Sequence, residues 1–146
     1  MNVVSRRVVL LTAAAGAVAA CSAPETPLTR LEGTVLSLQE ALEARKTSDV
    51  MDLLDERFRA QDSFDAEWAR KTMTLVFLRY AQVRVVALSN RSSLEDGENG
   101  SLGLTEAQVL VTGAQGLIPE RLEPYTVTLR WRREGDAWKL RDLTWQ

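Results

Sequence analysis

The chain has 146 residues, with 18 Lys and Arg against 20 Asp and Glu, one cysteine and no histidine. The absence of histidine excludes Ser-His-Asp and Cys-His catalysis and removes one of the commonest ligands of transition metals. A formal net charge of −2 argues against nucleic acid as a partner, because phosphate contacts need a clustered basic surface. The length allows one domain with a real core. No nucleotide-binding motif is present, so no cofactor and no metal site are expected.

The N-terminal segment resembles a bacterial lipoprotein signal. Arg6 and Arg7 provide a positive n-region, and an apolar h-region runs from Val8 to about Ala17. The sequence Val18-Ala19-Ala20-Cys21 follows, with an aliphatic residue, two small residues and the only cysteine. In such a lipobox the cysteine thiol takes a diacylglycerol. The apolar run of about thirteen residues is too short for a permanent span.

The signal divides the chain into three segments. We expect residues 1–20 to be cleaved as a signal peptide, residues 21–27 to form a lipidated tether, and residues 28–146 to form the domain. The membrane is then a partner through the lipid on Cys21, and Ser22 favours the periplasmic face of the outer membrane in a Gram-negative cell. A plain secretory signal, or an N-terminal helix with a buried cysteine, is the alternative. Ser5 to Leu10 also resembles a twin-arginine motif, so the export route stays open.

The remaining pattern predicts an α+β fold, with N-terminal helices packed on a curved four-stranded antiparallel sheet. Apolar residues at helical spacing predict the helices, and alternation predicts the strands. Trp138 and Leu140 have the opposite parity to Leu143 and Trp145, which predicts a bulge near Arg141-Asp142. The predicted helices cover Leu28 to Leu42, Val50 to Phe58 and Phe64 to Tyr80, and the predicted strands cover Val83 to Leu88, Thr105 to Thr112, Tyr125 to Arg132 and Ala137 to Trp145.

This arrangement is similar to the nuclear transport factor 2-like superfamily, which has the cystatin-like cone fold. The resemblance rests on Ser48–Leu54 after an amphipathic helix, on the alternating strand Tyr125–Arg133, and on the ending Gly135-Asp136-x-Trp138-Lys139-Leu140. It covers residues 28–146. Many members of the superfamily have a conical pocket and many form dimers, so the resemblance implies that this chain could share these features. The superfamily hosts isomerases, dehydratases, cyclases and non-enzymatic binding domains, so the fold alone does not give an activity.

An isomerase-like site would need a carboxylate base and a Tyr/Asp oxyanion pair in an apolar pocket. The chain has these residue types, but none matches that family's motif, and the histidine of dehydratase relatives is missing. The residues concerned are Asp62, Asp65, Tyr80, Tyr125 and Asp142. We therefore expect a domain without enzymatic activity.

Two groups of side chains are candidates for binding. Trp68 and Trp145 are predicted pocket or interface residues, whereas Trp131 and Trp138 are predicted core. Tyr80, Tyr125, Leu117 and Ile118 complete the candidate pocket or interface. The basic group Arg130, Arg132, Arg133, Lys139 and Arg141 could dock an acidic partner or lipid headgroups, but a solvated sheet face with cross-strand ion pairs is the favoured interpretation.

These observations lead to a functional expectation. The chain is expected to be a lipid-anchored cell-envelope protein that binds an unknown protein or a small apolar ligand without enzymatic activity. One alternative is a small envelope enzyme that uses carboxylate and tyrosine chemistry in an apolar pocket. Another alternative is a homodimeric scaffold.

Overall fold

The computed structural model describes residues 25–113, 116–117 and 123–146 and has an α+β architecture. The signal peptide, Cys21 and Ile118 lie outside the described residues. No described helix is long and apolar enough to cross a membrane. The helices are α1 (Pro27–Glu43), α2 (Thr47–Asp52) and α3 (Ala66–Arg79), and the strands are β1 (Leu54–Ala60), β2 (Val83–Leu94), β3 (Leu102–Gly113), β4 (Gly116–Leu117), β5 (Tyr125–Glu134) and β6 (Ala137–Trp145).

Helix α1 begins where the sequence supplies both a cap and a proline. The Thr26 hydroxyl accepts a hydrogen bond from Thr29 N at 3.2 Å. Pro27 opens the helix, where its missing N–H is no loss. Leu31, Val35 and Leu38 are buried, which confirms the predicted apolar stripe.

The sheet has five strands in the order β1-β6-β5-β3-β2, and the two-residue β4 pairs with the end of β3. Most neighbours are antiparallel, but β1 lies parallel to β6. The predicted four-stranded antiparallel sheet was therefore wrong, because the second helix ends at Asp52 and Leu54–Ala60 is a strand.

The pairing with β6 explains why this segment is a strand. Leu140 N donates to Leu53 O at 2.8 Å, and Gln61 N donates to Leu143 O at 2.8 Å. Leu53, Leu54 and Phe58 fit a helical spacing, but Phe58 and Ala60 alternate with exposed residues and are buried. Long-range backbone pairing thus overrides the local helical pattern.

The predicted bulge in the last strand is confirmed. Arg130 pairs with Asp142 and Trp131 pairs with Leu140, so Arg141 is the extra residue. The bulge moves Leu143 and Trp145 to the face already occupied by Trp138 and Leu140, and all four contact the same core. The apolar residues before the bulge and those after it therefore both face the core, although their positions in the sequence have opposite parity.

The core lies between α1 and the inner face of the sheet. Trp131 and Trp138 are 1% and 2% exposed, which confirms their prediction as core. Trp131 Nε1 donates to the buried Thr105 hydroxyl at 3.1 Å, so the indole N–H is satisfied. A Cβ at Gly103 would lie 2.6 Å from Leu31 Cδ2, so glycine at this position leaves room for the buried Leu31 side chain of α1 against the strand.

Candidate functional site

Three aromatic rings lie in nearly parallel planes at one end of the sheet. The Phe64 and Trp68 ring centroids are 4.6 Å apart with planes at 21°. The Trp68 and Trp145 centroids are 6.2 Å apart with planes at 11°. These distances fit the offset stacking that aromatic pairs prefer. We call Phe64, Trp68 and Trp145 the aromatic stack.

The loop between β1 and α3 holds the stack in place. Gln61 and Asp62 both have positive φ, at 50° and 59°, which is uncommon for residues other than glycine. Ala60 N donates to Phe64 O at 2.7 Å and closes the loop. The Asp65 carboxylate then accepts from Trp68 N at 3.0 Å and starts α3. The left-handed conformations thus turn the chain sharply enough to place Phe64 on Trp68.

The stack joins the core on one side and meets solvent on the other. Trp68 and Trp145 are half-buried and contact the core, whereas Phe64 is 40% exposed. Phe64 was not predicted as a site residue. Its spacing from Trp68 (i, i+4 on a helical pattern) is the signal that could have revealed the pair.

The structure brings only part of the predicted pocket group together. Trp68 and Trp145 meet in the stack. Tyr125 lies at the same end of the sheet, two residues before Val127, which pairs with Trp145. Tyr80 is at the other end of α3, about 18 Å from Trp68 along the helix axis, with the Arg79 guanidinium 5.6 Å from its ring centroid. Leu117 lies in β4 beside Thr112.

The candidate carboxylates for an enzymatic site do not form an apolar acid-base centre. Asp62 and Asp65 are exposed, and Asp142 is half-buried opposite Arg130 in the ladder. Asp55 is the only buried carboxylate among the described residues. No cluster of three potential metal ligands occurs in the described part of the chain.

Asp55 is engaged in an ion pair. One carboxylate oxygen accepts from Arg57 N at 2.9 Å, and the other accepts from Arg132 Nε at 2.9 Å. Burial by itself raises the pKa of Asp55, but the hydrogen bond from Arg57 N and the bond and charge of Arg132 outweigh it, so the pKa is lowered. Asp55 is therefore a structural anion that holds β1 to β5 across β6.

The basic group of β5 and β6 is largely engaged within the domain. Arg130 pairs with Glu95 at 3.0 Å. Arg132 bridges Asp55 and Glu134, each at 2.9 Å. Arg133 Nη2 donates to Asn99 O at 3.4 Å. These contacts favour the interpretation of this group as a sheet face with internal ion pairs over its interpretation as an open docking face.

Two surface depressions of about 450 Å³ each lie away from the stack. One is lined by residues of α1 and α2, including Ala41, Ala44 and Leu53. The other lies between the end of α1 and the start of β2, near Glu43 and Arg84. Neither of these two depressions is lined by a residue of the aromatic stack.

Comparisons with known proteins identify the fold. No model of a known protein family matches the sequence, and no curated protein matches it. The structure is similar to Bd1075 of Bdellovibrio bacteriovorus, with a TM-score of 0.67 and 16% identity over 79% of this chain. The match spans 38% of the length of Bd1075.

Two further similar structures are matched over most of their length. An NTF2-like protein of unknown function from Pseudomonas putida has a TM-score of 0.65 and 10% identity, over 82% of this chain and 84% of that one. A hexachlorocyclohexane dehydrochlorinase from Novosphingobium barchaimii has a TM-score of 0.59 and 12% identity, over 80% and 83%. The chain therefore has the cystatin-like cone fold of nuclear transport factor 2-like proteins. Enzymes and proteins of unknown function share this fold, so the fold alone does not decide between an enzyme and a binding protein.

Proposed function

We propose that this chain is a lipid-anchored cell-envelope protein whose cone-fold domain binds a partner at the aromatic stack without enzymatic activity. The observation that carries the binding role is the stack itself, in which the exposed ring of Phe64 lies on the half-buried Trp68, which in turn stacks on Trp145. Aromatic platforms of this kind are typical of binding surfaces, because they offer a large apolar area with little conformational entropy to lose.

The sequence supports the anchor. Arg6 and Arg7, the short apolar run and the box ending at Cys21 occur in the order that lipidation needs. With Cys21 committed to a lipid, the chain has no thiol and no imidazole for nucleophilic or metal chemistry. The proposed localisation and the absence of a free thiol thus depend on the same residue.

Fractionation of expressing bacteria tests the anchor. Full-length protein should sediment with membranes and require detergent for release, because the lipid on Cys21 holds it in the membrane. The Cys21→Ser variant should not acquire this lipid. Wild-type protein that is released from membranes without detergent would contradict the anchor.

Site-specific photo-crosslinking in intact cells tests the binding role. A photoreactive phenylalanine at Phe64 should give a discrete adduct with one partner. The matched control places it at Leu78, which is 81% exposed on α3 but lies far along the helix from the stack. An absence of adducts at Phe64, or the same adducts at both positions, would contradict binding at the stack.

The second candidate is an enzyme, and the likeness to a dehydrochlorinase favours it. Carboxylate-driven chemistry would need an unpaired Asp or Glu in an apolar pocket with a hydroxyl nearby. Within the described residues, the one buried carboxylate, Asp55, is paired with Arg132. The binding role therefore fits the described residues better.

A further inference from the structure

The first turn of α1 is held against one end of the sheet. Trp138 Nε1 donates to Pro27 O at 3.0 Å. Gly100 lies directly under Pro27, because a Cβ at this glycine would be 3.1 Å from the proline ring. Arg30 Nη1 is 3.3 Å from Asp136 Oδ1. The chain thus enters the domain beside the β2–β3 and β5–β6 turns.

The aromatic stack lies at the opposite end of the same sheet. Trp138 stands near the start of β6, and Trp145 is its last residue. At about 3.3 Å per residue the two are roughly 20 Å apart along the strand. The point of entry and the stack therefore occupy opposite ends of the molecule.

The tether is too short to let the domain turn over freely. Cys21 precedes Glu25 by four residues, a length of at most about 14 Å. A lipid on Cys21 would hold the Pro27 end at the membrane surface and leave the stack at the far end.

Charge favours the same orientation when the domain tilts. Asp62 and Asp65 are exposed on either side of Phe64, so an anionic membrane repels the loop that carries Phe64. Arg57 and Arg59 are exposed in β1 on either side of the buried Phe58, and alternation places them on the outer face of the sheet. Tilting therefore brings the outer face toward the lipids.

We propose that the stack faces the aqueous side of the envelope, at the far end of the domain from the membrane that holds the lipid. The proposal rests on the lipid anchor proposed above. A lipid of the tethering membrane is not the occupant, because the stack points away from that membrane.

Quenching by lipid headgroups tests this orientation. Acylated full-length protein is purified in detergent and reconstituted into phosphatidylethanolamine/phosphatidylglycerol vesicles that carry a nitroxide on some headgroups. Asp136→Cys, Ser63→Cys and Glu67→Cys each introduce a single free thiol for a fluorophore, because Cys21 is blocked by lipid. The first position marks the anchored end. The other two mark the end with the stack, and two variants guard against the failure of one to fold.

The proposal predicts strong quenching at position 136. At positions 63 and 67, quenching should be no greater than in the Cys21→Ser form mixed with the same vesicles. Protein that floats with vesicles but is quenched at 63 and 67 as strongly as at 136 overturns this orientation alone. Protein that does not float overturns the anchor and, with it, the orientation.

Discussion

Gln61 binds the backbone of Trp145 through both ends of its side-chain amide. Its Nε2 donates to Trp145 O at 2.9 Å, and its Oε1 accepts from Trp145 N at 3.2 Å. The amide takes the place of a neighbouring strand at the end of β6. One side chain in the β1–α3 loop thus fixes the position of a ring contributed by the last strand.

Replacing Gln61 by Ala should loosen the stack. Both hydrogen bonds are lost, and the free energy of unfolding should fall by about 1–3 kcal/mol. The near-UV circular dichroism of the stacked tryptophans should weaken, because the Trp68–Trp145 geometry is no longer held.

Gln82→Ala provides the matched control for this prediction. Gln82 is exposed in the turn before β2, so its replacement should change stability by less than about 0.5 kcal/mol. Equal near-UV spectra for Gln61→Ala and wild type would show that the amide bonds do not hold the stack.

Two glycine-to-alanine changes should have opposite effects on stability. At Gly103 a new Cβ would lie 2.6 Å from Leu31 Cδ2 and 3.3 Å from Trp138 Cζ3, both in the core. Overpacking of this kind costs about 1–3 kcal/mol. Gly33 lies within α1, and a Cβ added there would meet no heavy atom within 4 Å, so alanine should stabilise by about 0.5–1 kcal/mol.

Urea unfolding of the two variants measures both effects in one experiment. A Gly103→Ala protein as stable as wild type would mean that α1 does not pack against β3 as closely as described.

Asp55→Asn should destabilise the fold in a pH-dependent way. The cost should be about 1–2 kcal/mol near neutral pH, less than for a fully buried pair, because the Arg132 side chain is 39% exposed. The pKa of Asp55 is lowered from 3.8 in the folded state. Its contribution is therefore complete above that value and is lost as the pH falls below 3.8 through the folded pKa.

The test compares the free energy of unfolding of wild type and Asp55→Asn as the pH is lowered. The difference between them should shrink below pH 3.8. Asp52→Asn is the control, because Asp52 is exposed, and should stay within about 0.5 kcal/mol of wild type. A difference that grows with acidity would contradict the role of Asp55 as a paired anion.

The sequence predicted those features that depend on local pattern. The stripe of α1 and the alternation of β5 depend on burial of one face, which periodicity records directly. The bulge at Arg141 followed from a change of parity between Leu140 and Leu143. Each of these signals lies within a single element.

The missed features depend on contacts between distant segments. β1 carries a helix-compatible spacing and becomes a strand because β6 offers its edge, more than eighty residues away. The Asp55–Arg132 pair depends on the same pairing. Phe64 enters the site through two left-handed residues, Gln61 and Asp62, whose conformation is imposed by the closed loop and the Gln61 amide bonds. The hydrophobic periodicity of the sequence does not reveal contacts between distant segments of this kind.

The lipid on Cys21 is the feature on which both proposals depend, and mass spectrometry of the mature N-terminus detects it without intermediate steps. We expect the mature chain to begin at Cys21, with residues 1–20 removed and a diacylglycerol attached to the thiol. A mature protein with an unmodified Cys21 thiol, or one that still begins at Met1, would contradict the anchor.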